Sequence, residues 1–257
     1  MAIAITPVLT AANTTAPADG FCVFFWDSEY KLIPKGYGDS LGYTNYYGVL
    51  GSETFDLSGA YNGIRGAWLG VGFDLKGDFG TISNYKTGAL SAWDGNALSA
   101  REGLSQTENN SITVRSGEDF KWSVITRTPN LSTFSSPVTF HQVLTSIDDI
   151  KYKRCRVRLQ NGGTLLKVEV KDDNGEYQTY LEQTLEPTGT PANAVYNSVP
   201  SIPDTLNVGL TFSSGETTSN CWVKNFSVYG DTVTNENAST ILDSLTGLTV
   251  VHPTSAG

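Results

Sequence analysis

The chain has 257 residues with 26 glycines, 10 prolines and 11% aromatic residues, a composition typical of an all-β domain and not of a helical protein. Its formal net charge is −9, which argues against nucleic acid and anionic membranes as partners, because both require a basic surface. It contains no run of 18 apolar residues, so no membrane insertion is predicted.

Apolar segments of strand length recur along the chain with turn signals between them. They span residues 21–26, 66–75, 111–117, 120–127, 137–144, 152–160, 164–172, 177–185, 205–213 and 220–230. NGG at 161–163 and DDNG at 172–175 join consecutive segments, which predicts hairpins. Many short strands without a helical pattern between them predict two antiparallel sheets packed face to face.

Two flanking segments lack this periodicity. Residues 1–17 and 231–257 are rich in Thr, Ala, Asn and Ser, and we predict N- and C-terminal arms around one domain at 18–230. The N-terminal segment lacks a basic start followed by a long apolar core, so no secretory signal is expected. Because chain termini fray unless they are docked, we expect the arms to be held within a larger assembly.

The cysteines and histidines are widely separated. Cys22, Cys155 and Cys221 lie in apolar surroundings, which predicts small buried thiols and neither a disulfide scaffold nor a zinc site. His141 and His252 are isolated, so no catalytic triad or histidine metal cluster is predicted. Lys151–Arg158 is interpreted as a solvated strand.

Two acids further along the chain, Glu169 and Glu216, show no partner in the sequence. Both are interpreted as single acids on solvated faces.

The stretch ADGFCVFFW places an acid, Asp19, directly before a continuous apolar strand. A buried carboxylate that faces backbone N–H groups and an aromatic ring suits two adjacent sugar hydroxyls, which both donate and accept hydrogen bonds. The alternative is an ordinary Asp-Gly turn at the start of a strand.

Three ordered blocks carry a resemblance to a known family. They are the stretch from ADGFCVFFW to the Gly-rich loop ending in Leu-Gly, then GIRGAWLGVGFDLKGDFG at 63–80, then IPDTLNVGLTFSSGETTSNCWVKNFSVYG at 202–230. Together they resemble the L-type, legume-lectin-like family, in particular its bacterial and phage-borne branch. The resemblance implies a concanavalin-like jelly-roll sandwich over residues 18–230.

The resemblance also implies a sugar site. Asp19 matches the acid that accepts hydrogen bonds from two sugar hydroxyls, and Gly38 and Asp39 match the loop whose backbone amide donates to the same sugar. Residues 212–218 match the last loop of the binding rim. Phe79 is the expected stacking surface, since Lys76 stands where the family has an aromatic residue.

The metal site implied by the resemblance is incomplete. Asp74 matches a metal-ligating Asp, and Asp78 stands where the family has a sugar-binding Asn. Gly72 replaces the Glu of plant members, so no transition-metal site is expected. Calcium, which accepts oxygen ligands flexibly, could still bind Asp74 and Asp78; the alternative is a metal-free turn in which these acids cap backbone amides. No cofactor is required.

Some glycoside hydrolases share the sandwich architecture, but they require two carboxylates that flank the glycosidic bond. The corresponding segment here, GFDLKG at 72–77, contains neither Glu, so we expect no enzyme activity. Two functions stay open. One is glycan binding for attachment to a host-surface polysaccharide, and the other is a structural capsid decoration, fibre or tail scaffold.

The resemblance to phage-borne proteins places either function in a virion, with an extracellular surface as the alternative location. Only 17 residues precede Ala18, too few for the several strands that plant lectins place before this block. Because an incomplete sheet exposes edges that pair with other chains, we expect a homo-oligomer and contacts with other virion proteins.

Overall fold

The computed structural model describes residues 11–12, 19–33, 41–44, 63–77, 79–80, 109–120, 122, 124–142, 146, 148, 150–171, 175–188, 198–213, 220–221, 223 and 226–228. Its strands are β1 Ala11–Ala12, β2 Gly20–Asp27, β3 Ala67–Asp74, β4 Ser111–Ser116, β5 Val124–Arg127, β6 Cys155–Gln160, β7 Leu165–Lys171, β8 Tyr177–Thr184, β9 Glu186–Pro187, β10 Ser198–Val199, β11 Leu206–Ser213 and β12 Asn220–Cys221. Short 3-10 helices cover Glu118–Phe120, Leu131–Thr133 and Asn161–Gly163.

The larger strands form two antiparallel sheets. The first has the order β11-β2-β3-β4-β5 and the second the order β6-β7-β8. Two further pairs are short: β1 pairs with β12, and β9 pairs with β10 in parallel. Among the described residues, no helix is long and apolar enough to cross a membrane. The prediction of an all-β protein with antiparallel sheets is confirmed.

One apolar core lies between the two sheets. The five-stranded sheet contributes alternate residues of its strands, and the three-stranded sheet contributes the alternate residues that face them. From the first sheet these include Phe21, Val23, Phe25, Leu69, Val71, Phe73, Ile112 and Val114; from the second, Cys155, Val157, Leu159, Leu166, Val168 and Val170. The shared core makes the fold a two-sheet sandwich.

A second apolar cluster covers the opposite face of the five-stranded sheet. Cys22, Phe24 and Trp26, the other alternate residues of β2, pack there against side chains from the loops. These side chains include Leu41, Tyr43, Ile64, Phe79 and Trp122. Strand β2 is therefore buried on both faces, which explains why its sequence is continuously apolar and does not alternate.

Two glycines of β3 leave space for the aromatic rings of this second apolar cluster. A Cβ on Gly72 would lie 2.3 Å from the ring of Phe79, and one on Gly70 would lie 2.5 Å from the ring of Tyr43. The hydroxyl of Tyr43 then donates to the carbonyl of Ser116 at 2.9 Å. The two aromatic rings thus pack directly on the backbone of the sheet.

Both predicted hairpins are confirmed, because β6 pairs with β7 and β7 with β8 in antiparallel register. The strand predicted at 137–144 is not formed by residues 137–140; His141 makes an isolated bridge, and 143–144 lie outside the described residues. Val138 and Phe140 alternate into the core as in a strand, but the side chain of Asn110 binds their backbone instead of a neighbouring strand. Its Nδ2 donates to the carbonyl of Val138 at 2.7 Å, and its Oδ1 accepts from the N–H of Phe140 at 3.3 Å.

Three other predicted strands are shorter than expected, and one of them, 152–160, is a strand only from Cys155. The segment 120–127 is a strand only from Val124, since its beginning completes the 3-10 helix Glu118–Phe120. Of the segment 220–230, the described strand is Asn220–Cys221, which pairs with Ala11–Ala12. Part of the predicted N-terminal arm is therefore joined to the sandwich. Residues 1–10 and 231–257 lie outside the described residues.

The cysteines agree with their predicted state. All three are free; Cys22 and Cys155 are buried, and Cys221 is half-buried. Burial raises the pKa of the Cys22 and Cys155 thiols well above the ordinary value, and it raises the pKa of Cys221 to about 11. The thiols are therefore protonated near neutral pH and unreactive.

Substituting Gly72→Ala should lower the free energy of unfolding by about 1–3 kcal/mol, because the new methyl group overlaps the ring of Phe79. Urea denaturation measures this loss. In a Phe79→Leu background the same substitution should cost less, since the smaller side chain can move aside. Equal costs in the two backgrounds would show that Phe79 is not the residue that limits the space at Gly72.

Stability should decrease as pH rises above about 9.0, the ordinary thiol pKa. The folded-state pKa of Cys155 is raised, so the unfolded chain releases this proton first and alkaline pH favours unfolding. Between pH 8 and 10 the wild type should lose about 1.4 kcal/mol more than Cys155→Ala. Urea unfolding of both proteins at the two pH values tests this, and identical losses would contradict it.

Candidate functional site

Four strand ends meet at one end of the five-stranded sheet. β11 ends at Ser213, which pairs with Gly20 at the start of β2; Gly20 pairs with Asp74 at the end of β3; and Asp74 pairs with Ser111 at the start of β4. Asp19 directly precedes Gly20. We call the residues Asp19, Asp74, Ser111 and Ser213 the polar end, and all four are buried.

The backbone of Gly20 fixes the position of Asp19. Gly20 has a φ of 137°, a backbone conformation that residues with a side chain rarely adopt. A Cβ at this position would lie 2.1 Å from the carbonyl oxygen of Phe73. The N–H of Leu75 donates to the carbonyl of Asp19 at 2.9 Å. Asp19 is therefore held between the start of β2 and the loop that follows β3.

The carboxylate of Asp19 is enclosed and lies beside a cation. Asp19 is 1% exposed, and the Nζ of Lys76 lies 3.6 Å from its Oδ1. The Lys76 side chain is 39% exposed. The ammonium group thus connects a buried acid to the surface, and its attraction offsets part of the cost of removing the carboxylate from water.

Asp74 organises the loop that follows β3. Its Oδ1 accepts a hydrogen bond from the N–H of Gly77 at 2.7 Å, and its Oδ2 accepts one from the N–H of Gly80 at 2.9 Å. This is the amide-capping geometry that the sequence offered as the alternative to calcium. Carboxylate oxygens are also ligands that a calcium ion accepts.

The described residues hold no group of three or more His, Cys, Asp or Glu side chains that could bind a metal ion. The second candidate ligand, Asp78, lies outside the described residues.

The expected stacking role of Phe79 requires correction. Its ring is 0% exposed, lying on Gly72 with the guanidinium of Arg115 4.8 Å from its centroid. Arg115 also donates through Nε to the carbonyl of Phe79 at 2.9 Å and through a terminal nitrogen to that of Trp122 at 2.8 Å. A ring enclosed in this way presents no face to a sugar, and Phe79 instead anchors the loop to the sheet.

The other predicted rim residues are only partly described. Gly38 and Asp39 lie outside the described residues, as does 214–219, most of the last loop. At the start of that loop, Phe212 is 40% exposed, and Ser213 pairs with Gly20 beside Asp19. The structure therefore brings Asp19, Asp74 and the start of the last loop together.

The sequence did not predict the contact between Lys76 and Asp19 or the buried Ser111, and it placed Ser213 only within the rim loop 212–218. These residues are far apart in the chain, and only the register of β11, β2, β3 and β4 brings them to one sheet end. A short-range motif therefore carries no signal for them. The best signal for this site in the sequence is that Gly20 and Asp74 each lie at the end of an apolar segment.

No protein-family model and no curated protein matches the chain. Several solved structures are similar to it. The VIP36 exoplasmic/lumenal domain, bound to Ca2+ and Man3GlcNAc, is 13% identical with a TM-score of 0.45, and the match covers 92% of this chain and 73% of that one.

Two lectins are similar at the same level. Peanut lectin, in a complex with a 9-residue peptide, is 14% identical with a TM-score of 0.46, covering 87% of this chain and 68% of its own. Lectin I-B4 from Griffonia simplicifolia, in a metal-free form, is 14% identical with a TM-score of 0.43, covering 89% and 71%. Similarity at this level carries over no residue role.

Replacing Asp74 by Asn should lower the free energy of unfolding by about 1–3 kcal/mol, because the amide NH2 would face a backbone N–H that now donates to a carboxylate oxygen. The matched control is Asp27→Asn at the other end of the sheet. Asp27 accepts one exposed hydrogen bond from the N–H of Glu29, so its loss should stay below about 0.5 kcal/mol. Urea denaturation of both variants compares the two sites, and equal losses would contradict the anchoring role of Asp74.

Proposed function

We propose that this protein is a non-enzymatic glycan-binding protein and that its sugar site lies at the polar end. The observation that carries the proposal is the enclosed carboxylate of Asp19, held directly before the buried strand β2, with the partly exposed side chain of Lys76 beside it. In this site Lys76, which is 39% exposed, moves aside to open the enclosed carboxylate, and Asp19 then accepts hydrogen bonds from two adjacent sugar hydroxyls.

A buried carboxylate destabilises a fold unless its charge is compensated, and an apolar residue would fill the same space at lower cost. A role in recognition would explain why an acid stands at this position. Charge-assisted hydrogen bonds to a carboxylate are short and strong, which suits the capture of hydroxyls that would otherwise bind water. Lys76 can reach the same ligand from the solvent side and donate to a sugar oxygen.

The same residues support binding without hydrolysis. A glycosidase needs one carboxyl group free to protonate the leaving oxygen and a second one free to attack or to activate water. Asp74, the acid nearest to Asp19 in the strand register, uses both of its oxygens to hold the backbone of Gly77 and Gly80. Its role in this proposal is to shape the loop.

Calcium is an optional ligand in this proposal. An ion bound by Asp74 and Asp78 would order the loop at 75–80 and so affect the sugar site indirectly. The similar VIP36 structure is described as bound to both Ca2+ and a glycan, which supports testing the two ligands together.

As part of the same proposal, the protein is a virion component, of phage type, that attaches to a host-surface polysaccharide as a homo-oligomer. The support is the resemblance of its motif blocks to the phage-borne branch. An extracellular surface is the alternative location. The second candidate function is a scaffold without sugar binding, favoured by the pairing of Ala11–Ala12 with Asn220–Cys221, which ties an arm to the sandwich.

The test is a glycan-array screen with and without calcium, using wild type, Asp19→Asn and the control Asp27→Asn at the opposite end of β2. Asp19→Asn should weaken binding by about 10- to 100-fold, since hydrogen bonds to a charged acceptor contribute about 1.5–3 kcal/mol. Asp27→Asn should bind like wild type. Near-ultraviolet circular dichroism and thermal unfolding verify that each variant is folded.

Unchanged binding by a folded Asp19→Asn variant would remove the proposed site. If Asp19→Asn unfolds, Lys76→Gln provides the second test; this side chain is 39% exposed and lies outside the apolar clusters, and thermal unfolding measures the stability lost with its ion pair. The absence of binding to any glycan, together with a defined oligomer in solution, would favour the scaffold.

A further inference from the structure

Positive charge is concentrated in one short part of this acidic chain. Residues 151–171 contain seven Lys or Arg and one Glu, which gives this segment a net charge of +6. The rest of the chain carries a net charge of −15, so the total is −9. The turn that follows, 172–174, contains two Asp and lies outside the described residues. The cations belong to β6, β7 and the residues just before β6.

The strand geometry places most of these cations on one face. In β6 and β7 one set of alternate residues enters the core, so the other set faces away from it. Arg156 pairs with Glu169, Arg158 pairs with Lys167, and the carbonyl of Arg154 accepts from the N–H of Lys171 at 2.8 Å. We call the residues Arg154, Arg156, Arg158, Lys167 and Lys171 the cationic face.

Glu169 is not the solvated acid expected from sequence. It is 9% exposed, and its Oε2 lies 3.5 Å from Nη1 of Arg156 and 3.4 Å from Nη1 of Arg158. Arg156 also stacks on the ring of Tyr177, with its guanidinium carbon 3.7 Å from the centroid. One carboxylate thus holds two guanidinium groups in place and leaves a surplus of positive charge.

The remaining charges on this sheet do not cancel the surplus. Lys167 pairs with Glu182 on β8 at 2.7 Å. Arg154 is exposed and Lys171 is half-buried at the end of β7. With Glu169 and Glu182 included, the face keeps more positive than negative groups, although the chain as a whole is acidic.

We propose that the cationic face binds an acidic polysaccharide through its sulfate or carboxylate groups. Guanidinium groups bind such anions through paired, charge-assisted hydrogen bonds. The cations form a fixed array, spaced about 4.8 Å between strands and about 6.8 Å along each strand. Because Glu169 and Tyr177 already hold the arginines in place, less side-chain freedom is lost when a ligand binds.

The charge distribution favours a thin, flexible polyanion over a duplex nucleic acid or an anionic membrane. The rest of the chain repels negative charge, so a large anionic surface would be opposed outside this face. A single polysaccharide chain can bind along β6 and β7 alone, whereas a duplex or a membrane would also face acids elsewhere on the protein. This site lies on the other sheet from the polar end, and its ligand chemistry does not depend on the function proposed for Asp19.

The test is calorimetric titration of the full chain with dextran sulfate, and with neutral dextran of the same length as the control ligand. Wild type should bind only the sulfated polymer, with affinity that falls steeply when salt is raised from about 50 to 200 mM. The variant Arg154→Gln/Lys171→Gln, which leaves the contacts of Glu169 intact, should bind about tenfold more weakly. Lys31→Gln/Arg65→Gln, which removes two exposed cations near the far end of β2 and β3, should bind like wild type.

Equal binding by the two double variants would overturn the proposal, as would equal binding of dextran and dextran sulfate. A salt-sensitive increase in solution mass that is lost in Arg154→Gln/Lys171→Gln, without binding of dextran sulfate, would assign the face to self-association instead. Thermal unfolding verifies that the variants are folded. Asp19→Asn should bind dextran sulfate normally, so failure of the polar-end proposal is distinguishable from failure of this one.

Discussion

Burial of β2 on both of its faces is the constraint on which the described structure depends. One set of its side chains packs between the two sheets, and the other set packs beneath loop residues such as Tyr43 and Phe79. If such a strand shifted its register by one residue, every side chain would move to the opposite face and into the wrong apolar cluster. Its neighbours β11 and β3 are therefore fixed as well, and so is everything attached to their ends.

The polar end follows from that fixed register. Gly20 pairs with Asp74 and with Ser213, so Asp19 lies just before β2 begins, at the place where β11 and β3 end and β4 begins. Burying a carboxylate there costs stability, and the ion pair with Lys76 offsets part of that cost. The sheet holds the site in one geometry, because it limits how far the surrounding residues can move.

The second sheet is buried on one face only. Its strands β6 and β7 bury one face and leave the other accessible, so they alternate between apolar and charged residues. The same alternation that builds the core gathers the arginines on the outer side, where Glu169 holds two of them together. The two sheets consequently present different chemistry, an enclosed acid on one and an array of cations on the other.

The sequence by itself determined the all-β class, most strand positions and both hairpins of β6–β8, because these depend on local periodicity and on turns of few residues. It also singled out Asp19 and Asp74 as candidates, but it misjudged three features. Only the tertiary structure showed that Phe79 is covered by Arg115, that Asn110 replaces a strand partner for 138–140, and that Glu169 binds two arginines. Each of these depends on contacts between residues distant in the chain, and such contacts are decided by strand register and by packing on both faces of a sheet, which local pattern does not encode.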